Sequence, residues 1–322
     1  MKIVAIGGGT GMPALLRGLK KYEHDITAIV TMFDDGGGSG ALREDLGMLP
    51  PGDIRNCILA LSQAEPLMEE VLKFRFPYGS LKGQNFGNLM LAAMNGVTGS
   101  FLEAVQNLSK ILAIRGRVLP VTTDDAQLCA EFEDGIIVVG ESAIPEYAKQ
   151  NKTQIRRVFL DPNDLNANPD AVAAIHEADA VIISPGSLYT SIIPVLLLDE
   201  IREALIATSN VKKIYVCNVM TQNGETDGYD VADHLKAIAD HIGRQIIDVC
   251  LVNEDAVSEE VLSNYRREQA SVVHYDAKRV QEQGVFACCD SFATVVEEMN
   301  VLRHDSEKIA AAIIRLITEE KR

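Results

Sequence analysis

The chain has 322 residues, with 30 Lys+Arg against 46 Asp+Glu and a formal net charge of −16. That length suits about two domains or one large α/β domain, and 47% hydrophobic with 24% charged residues is the composition of a soluble globular protein, not of a disordered chain, a collagen or a coiled coil. The acidic balance argues against a broad nucleic-acid or anionic-membrane surface, since both need excess cations, but a small anion held by backbone amides stays compatible with it.

In chain order, residues 3–6 read as a short strand, followed by glycines and a helical pattern at Leu15, Leu16 and Leu19, with Pro13 suited to the first turn. Residues 26–33 read as a second strand. A helix starts near Asp53, and Ser100 with Glu103 reads as a capping box opening a helix over 101–113. The segments 128–132 and 136–139 flank Asp134-Gly135, a hairpin signal, and 154–160 is a further strand. Alternation then resumes, with strands at 178–184, 213–219 and 247–252 and helices at 189–207 and 230–241. A final helix carries Ile309, Ile313, Ile314 and Ile317. The fold class expected is α/β and Rossmann-like, a mostly parallel sheet with helices on both faces. The chain reads as a single α/β domain over 1–322 with a small β-rich insertion near 117–160.

The six cysteines form no C-x-x-C, and Cys288-Cys289 has no zinc spacing. Reduced thiols in a cytoplasmic protein are expected. No signal-peptide core follows Met1, and no apolar run is long enough for a membrane span. Walker-type and nucleophile-elbow motifs are absent.

Chemistry concentrates in glycine-bearing loops at strand ends. Gly7-Gly8-Gly9-Thr10-Gly11 follows the first strand and opens the first helix, where glycines allow close approach and free N–H groups attract phosphate; a tight turn without ligand is the alternative. Gly9, Gly11 and Ala14 fit G-x-G-x-x-A, and Asp34 stands where a dinucleotide's ribose-binding acid belongs. That acid is doubled and glycine-rich, however: Asp34-Asp35-Gly36-Gly37-Gly38-Ser39-Gly40. Two carboxylates there could hold a hydrated cation or polarise a hydroxyl, or form only a solvated turn. Asp53 reads as an N-cap or a ligand group, with Arg55 and Asn56 in the same turn. Asn85 and Asn88 open another helix and could serve sugar hydroxyls, a base edge or only a cap. Gly186 and Ser187 repeat the first loop's logic, and Asn218 ends a further strand. Arg303 is either a surface charge or a cation that folds back onto a phosphate.

The segments GGGTGMPALLRGLKKY, DITAIVT, DDGGGSG, PPGDIRN, NFGN, SPGSLYTSIIP and CNVMTQNGETDGY closely resemble the bacterial gluconeogenesis-factor family (YvcK-like), a branch of the group that includes 2-phospho-L-lactate transferase (CofD-like). Gly38 stands where the family more usually has serine. The resemblance implies a Rossmann-like fold binding a nucleotide-containing ligand. In the transferase branch that is a guanosine-diphosphate moiety with Mg²⁺ and a deazaflavin precursor, the acids matching Asp34, Asp35 and Asp53 here. In the gluconeogenesis-factor branch it is a UDP-sugar, chiefly UDP-N-acetylglucosamine, with a role in wall synthesis and cell shape on gluconeogenic carbon sources. The ligand-binding set expected is therefore Gly8, Gly9, Thr10, Gly11, Asp34, Asp35, Gly36, Asp53, Arg55, Asn56, Asn85, Asn88, Gly186, Ser187, Asn218 and Arg303. Asp35 and Asp53 would carry a magnesium ion arriving with the nucleotide. A transferase is the alternative function, and an NAD-type oxidoreductase rests on the G-x-G-x-x-A fit alone. Self-association, partners in the wall-synthesis machinery and phosphorylation at Ser306 stay open.

Overall fold

The structure, a computed structural model, describes residues 1–255, 257–296 and 301–319. In chain order the elements are β1 (Lys2–Gly7), α1 (Gly11–Leu19), β2 (Asp25–Val30), α2 (Gly37–Leu46), α3 (Gly52–Leu61), α4 (Pro66–Lys73), α5 (Phe86–Thr98), α6 (Phe101–Ile111), β3 (Arg117–Pro120), β4 (Gln127–Phe132), β5 (Ile137–Val139), α7 (Ala143–Asn151), β6 (Ile155–Asp161), α8 (Pro169–His176) and β7 (Ala180–Ile183). A π-turn (Leu188–Ile192) follows, then α9 (Ile193–Leu196), α10 (Asp199–Ala207), β8 (Lys212–Val216), α11 (Val231–Ile242), β9 (Val249–Asn253), α12 (Glu259–Arg267), α13 (Ala277–Glu282), β10 (Phe286–Asp290), β11 (Ala293–Val296), β12 (Val301–His304) and α14 (Ser306–Glu319).

Seven strands form one parallel sheet in the order β10-β9-β8-β7-β1-β2-β3. β1 and β7 are apolar on both sides, because helices cover both faces of the sheet. From β1 the chain runs outward through β2 to β3. It then returns to β7 and runs the other way, so the order reverses between β1 and β7. Right-handed crossovers put helices on opposite faces for the two directions. α1 packs with α3 and α14 on one side, while α8, α9 and α10 pack together on the other. The α/β Rossmann-like class expected from the sequence is the one observed.

Several boundaries differ. Arg117 pairs in parallel with Thr27, so β3 is the edge of the main sheet; the antiparallel β5-β4-β6 sheet begins only at β4 and carries α7 within it. The expected helix over 189–207 is broken into the π-turn, α9 and α10. Pro194 has no N–H to return to Thr190, so the preceding turn widens and the Ile192 and Ile193 N–H groups reach the carbonyls five residues back, at Ser187 and Leu188. The strand from residue 26 leaves the sheet after Val30, and the one from 213 ends at Val216. Ser100 accepts the Glu103 N–H as the cap of α6, which stops at Ile111. The Asp34–Gly40 segment is not an open loop: from Gly37 it is the first turn of α2. The six cysteines are free thiols, and among the described residues no helix is long and apolar enough to cross a membrane.

α14 docks on α1 through Ile309, Ala310 and Ile313, all fully buried. The close approach depends on Gly18, where a Cβ would come within 1.8 Å of the Ser306 carbonyl oxygen. Gly96 in α5 faces open space instead. Gly18→Ala is expected to lower stability by about 1–3 kcal/mol through overpacking, while Gly96→Ala raises it by up to about 1 kcal/mol through helix propensity. Urea unfolding of both variants checks the pair; stabilisation of similar size by both would remove the α1–α14 contact from the account.

Candidate functional site

The loops after β1 and β7 meet where the strand order reverses, the usual place for a ligand in an open α/β sheet. Their backbones touch. A Cβ on Gly11 would lie 2.1 Å from the Pro185 carbonyl oxygen, so only glycine permits this contact. Asn218, past the end of β8, fastens the second loop from behind, accepting the Gly186 N–H (3.0 Å) and donating Nδ2 to the Gly186 carbonyl (2.6 Å).

Over this junction lies a cavity of about 550 Å³. Thr10, Gly11, Ala14, Gly186, Ser187 and Asn218 form its floor. Thr10 occupies the N-cap position of α1 without a side-chain capping bond. The far side is built from residues 219–223, Tyr265, Glu268, Ala270 and Leu302, with Lys149 and Arg303 supplying cations. Arg303 is exposed and sits on β12, which among the described residues pairs with β11 alone. Burial pushes the neighbouring His304 imidazole down to about 4, so it is neutral at pH 7; its Nε2 lies 3.0 Å from the Cys217 carbonyl and ties β12 to the end of β8. Lys149 and residues 219–223 were not singled out from sequence, apart from the motif that contains the latter; Lys149 lies on α7, far along the chain, with no local signal.

The other candidates occupy a second lobe beyond the glycine loop. Gly9, in the left-handed region at φ +63, donates its N–H to Asp53 Oδ2 (2.7 Å). This amide is therefore turned away from the cavity, in contrast to the expectation that Gly8–Gly11 all face a phosphate. Asp53 is not the N-cap of α3, a position held by Pro51. Asp34 accepts the Gly36 N–H (2.9 Å). Asp35 points elsewhere, accepting the Ser142 N–H (2.9 Å). So Asp34, not Asp35, is the acid beside Asp53. Asn85 is used up as the cap of α5: Oδ1 accepts the Asn88 N–H and Nδ2 donates to the Lys73 and Phe74 carbonyls. Asn56 accepts from Arg55 Nη2 (2.6 Å), and Asn88 is buried with Oδ1 unpartnered.

Two acids missed from sequence complete this lobe. Glu141 is pushed up to about 7 by burial and by the charges of Asp34, Glu225 and Asp35. Glu225, raised by burial, accepts the Ser187 hydroxyl and the Tyr189 N–H. Glu141 lies outside the sequence motifs, while Glu225 follows Gly224 inside the motif CNVMTQNGETDGY, and the tertiary fold brings both in. Burial and the Asp34 charge push Asp53 up to about 6, against the Gly9 hydrogen bond, and burial raises Asp34 as well. Among the described residues no three of His, Cys, Asp and Glu group to hold a metal. The magnesium ion implied by the resemblance nevertheless fits Asp34 and Asp53, because two half-buried acids held above their ordinary range would be relieved by a cation sharing a phosphate.

A carboxyl with a raised folded-state value binds its proton more tightly when folded, so its cost appears as pH rises through about 4 to 6. Asp53→Asn keeps an acceptor for Gly9 and removes that cost. The variant is expected to be more stable than the parent by about 1–3 kcal/mol at pH 7.5 and indistinguishable from it near pH 4. Thermal unfolding across pH measures this; a difference independent of pH would mean that Asp53 ionises freely.

The family model for 2-phospho-L-lactate transferase CofD matches residues 3–293. The gluconeogenesis factor of Bacillus subtilis is 47% identical over 99% of this chain and 98% of its own length, and that of Halalkalibacterium halodurans 48% identical over 97% and 95%. A crystal structure of a Bacillus halodurans protein superimposes with a TM-score of 0.93 at 46% identity, covering 97% of this chain and 99% of that one. The chain belongs to the gluconeogenesis-factor family, within the group that the 2-phospho-L-lactate transferase model describes.

Proposed function

We propose that the chain binds a nucleoside-diphosphate sugar of the UDP-N-acetylglucosamine type. The observation that carries this reading is the cavity at the strand-order reversal, with backbone loops on its floor and two cations, Lys149 and Arg303, on its walls. A diphosphate over Thr10–Gly11 and Gly186–Ser187 meets the N-terminus of α1. The apolar wall at Val219, Met220 and Leu302 suits a base, and Thr221, Gln222 and Asn223 offer donors and acceptors to its edge. As a wall precursor made in the cytoplasm, such a ligand suits a role in wall synthesis and cell shape during gluconeogenic growth. When bound at Asp34 and Asp53, a magnesium ion would neutralise charge on the diphosphate.

Transfer of a phospho-containing group to an acceptor is the second reading, and the acids favour it. Asp53 near 6 and Glu141 near 7 sit in the range where a carboxylate can take a proton from a hydroxyl at neutral pH.

Arg303→Ala removes a charge-assisted contact worth about 1.5–3 kcal/mol, so affinity for UDP-N-acetylglucosamine is expected to fall roughly ten- to hundredfold. Calorimetric titration of both proteins with UDP-N-acetylglucosamine, NAD and GDP checks it. Tighter binding of NAD by the parent would overturn the ligand class, and unchanged binding by the variant would return Arg303 to the surface.

A further inference from the structure

A second cavity, of about 390 Å³, opens beside the edge strand β10 and shares no lining residue with the first. One wall is the carboxyl end of β10, at Asp290 and Ser291. The other is a stripe of α14 made by Lys308, Ala311, Ala312 and Arg315. Intervals of three, four and seven residues put these four on one face of the helix. Two small side chains between two long ones make that wall concave. Lys308, Ala311 and Arg315 are exposed, so the cavity is open to solvent.

The two cations stand at opposite ends. Lys308 Nζ donates to Ser291 Oγ (2.8 Å), and Arg315 Nη2 reaches the Cys288 sulfur (3.9 Å). Seven residues of helix and three of extended strand each span about 10 Å, so these contacts hold the head groups about that far apart. Among the described residues neither cation is paired with a carboxylate, in a chain with 46 acids to 30 bases. The acids at the lysine end are bonded to Ser291 instead: Asp255 Oδ2 accepts its hydroxyl (2.8 Å) and Asp290 Oδ1 its N–H (2.8 Å). Sulfur is a weak acceptor, so Arg315 keeps most of its hydrogen-bonding capacity for a ligand.

We propose that this cavity binds a small linear dianion, an α,ω-dicarboxylate, with one carboxylate on Arg315, the other on Lys308 and the methylene chain over Ala311 and Ala312. About 10 Å between head groups, less an ion-pair contact of about 2.8 Å at each end, leaves about 4–5 Å, which suits glutarate or adipate. No single carboxylate bridges that gap. One cation at each end matches a singly charged group, whereas a phosphate dianion would leave charge uncompensated beside Asp290. The alanines offer methyl groups and no polar side chain, which suits an unsubstituted spacer. The site does not depend on the nucleotide reading, because the two cavities have no wall residue in common.

Ligand-observed NMR titration of the full chain with glutarate, adipate, butyrate and inorganic phosphate, with and without UDP-N-acetylglucosamine, tests this. Glutarate or adipate is expected to bind about tenfold more tightly than butyrate, which has one carboxylate, and more tightly than phosphate, in both conditions. Arg315→Gln, at an exposed helix position, should weaken the dicarboxylate roughly tenfold, to the level of butyrate, with nucleotide affinity as in the parent. Ala311→Glu keeps a good helix former at an exposed position and places a carboxylate between the two cations, so it should abolish dicarboxylate binding in a folded protein. Arg303→Ala should leave dicarboxylate binding intact while it lowers nucleotide affinity, which separates failure here from failure of the nucleotide reading. No dicarboxylate binding to the parent, butyrate binding equally well, parent-like binding by Ala311→Glu, or a loss with Arg303→Ala or with nucleotide present would overturn the proposal. Tighter binding of phosphate would overturn the ligand class.

Discussion

The hydrogen bond from the Gly9 N–H to Asp53 sets the relation between the glycine loop and the first turn of α3, and much of the site follows from it. Gly9 can aim its N–H inward only because it adopts a left-handed backbone, at φ +63, which a side chain resists. With that amide committed, the loop presents its later residues, Thr10 and Gly11, to the cavity. The same bond fails to compensate fully for burying a carboxylate beside Asp34. The molecule thus carries an unfavourable charge arrangement at the join between its two lobes, as functional sites commonly do.

The two lobes are chemically unlike. One is open, amide-lined and flanked by cations on separate elements, α7 and β12. The other is crowded with acids from α3, the turn before α2, and the loops at Glu141 and Glu225. A diphosphate suits the first and would be repelled by the second without a cation between.

The parallel sheet was legible because its central strands are buried on both faces and so read as uninterrupted apolar runs, as at residues 3–6. The glycine loops were legible because close backbone contact, such as Gly11 against Pro185, leaves a residue-type signature. Geometry set by distant partners left none. Asp34 and Asp35 are adjacent and alike in sequence, and only the packing of the loop at Gly140–Ser142 turns Asp35 away. The π-turn at Leu188–Ile192 was hidden because its apolar residues fit an ordinary helix pattern; Pro194 was the one sign of a break. Asn85 illustrates the reverse: a polar residue at a helix start that served the backbone, with Oδ1 capping the helix and both Nδ2 hydrogens donated to the preceding chain.

Arg303 reaches the cavity from a two-stranded hairpin outside the main sheet, and such a ribbon has little stability of its own. Tyr265 supplies what a third strand would: its hydroxyl accepts the Leu302 N–H (3.0 Å) and donates to the Leu302 carbonyl (3.1 Å). One phenol thus stands in for a neighbouring backbone. Besides its direct continuity with β10 and α14, the ribbon is tied by single side chains: His304 bonds it to the end of β8, and Tyr265 bonds it to α12. The position of Arg303 at the cavity therefore rests on bonds from two side chains of distant elements as well as on the pairing of β11 with β12, while the floor beneath belongs to the parallel sheet.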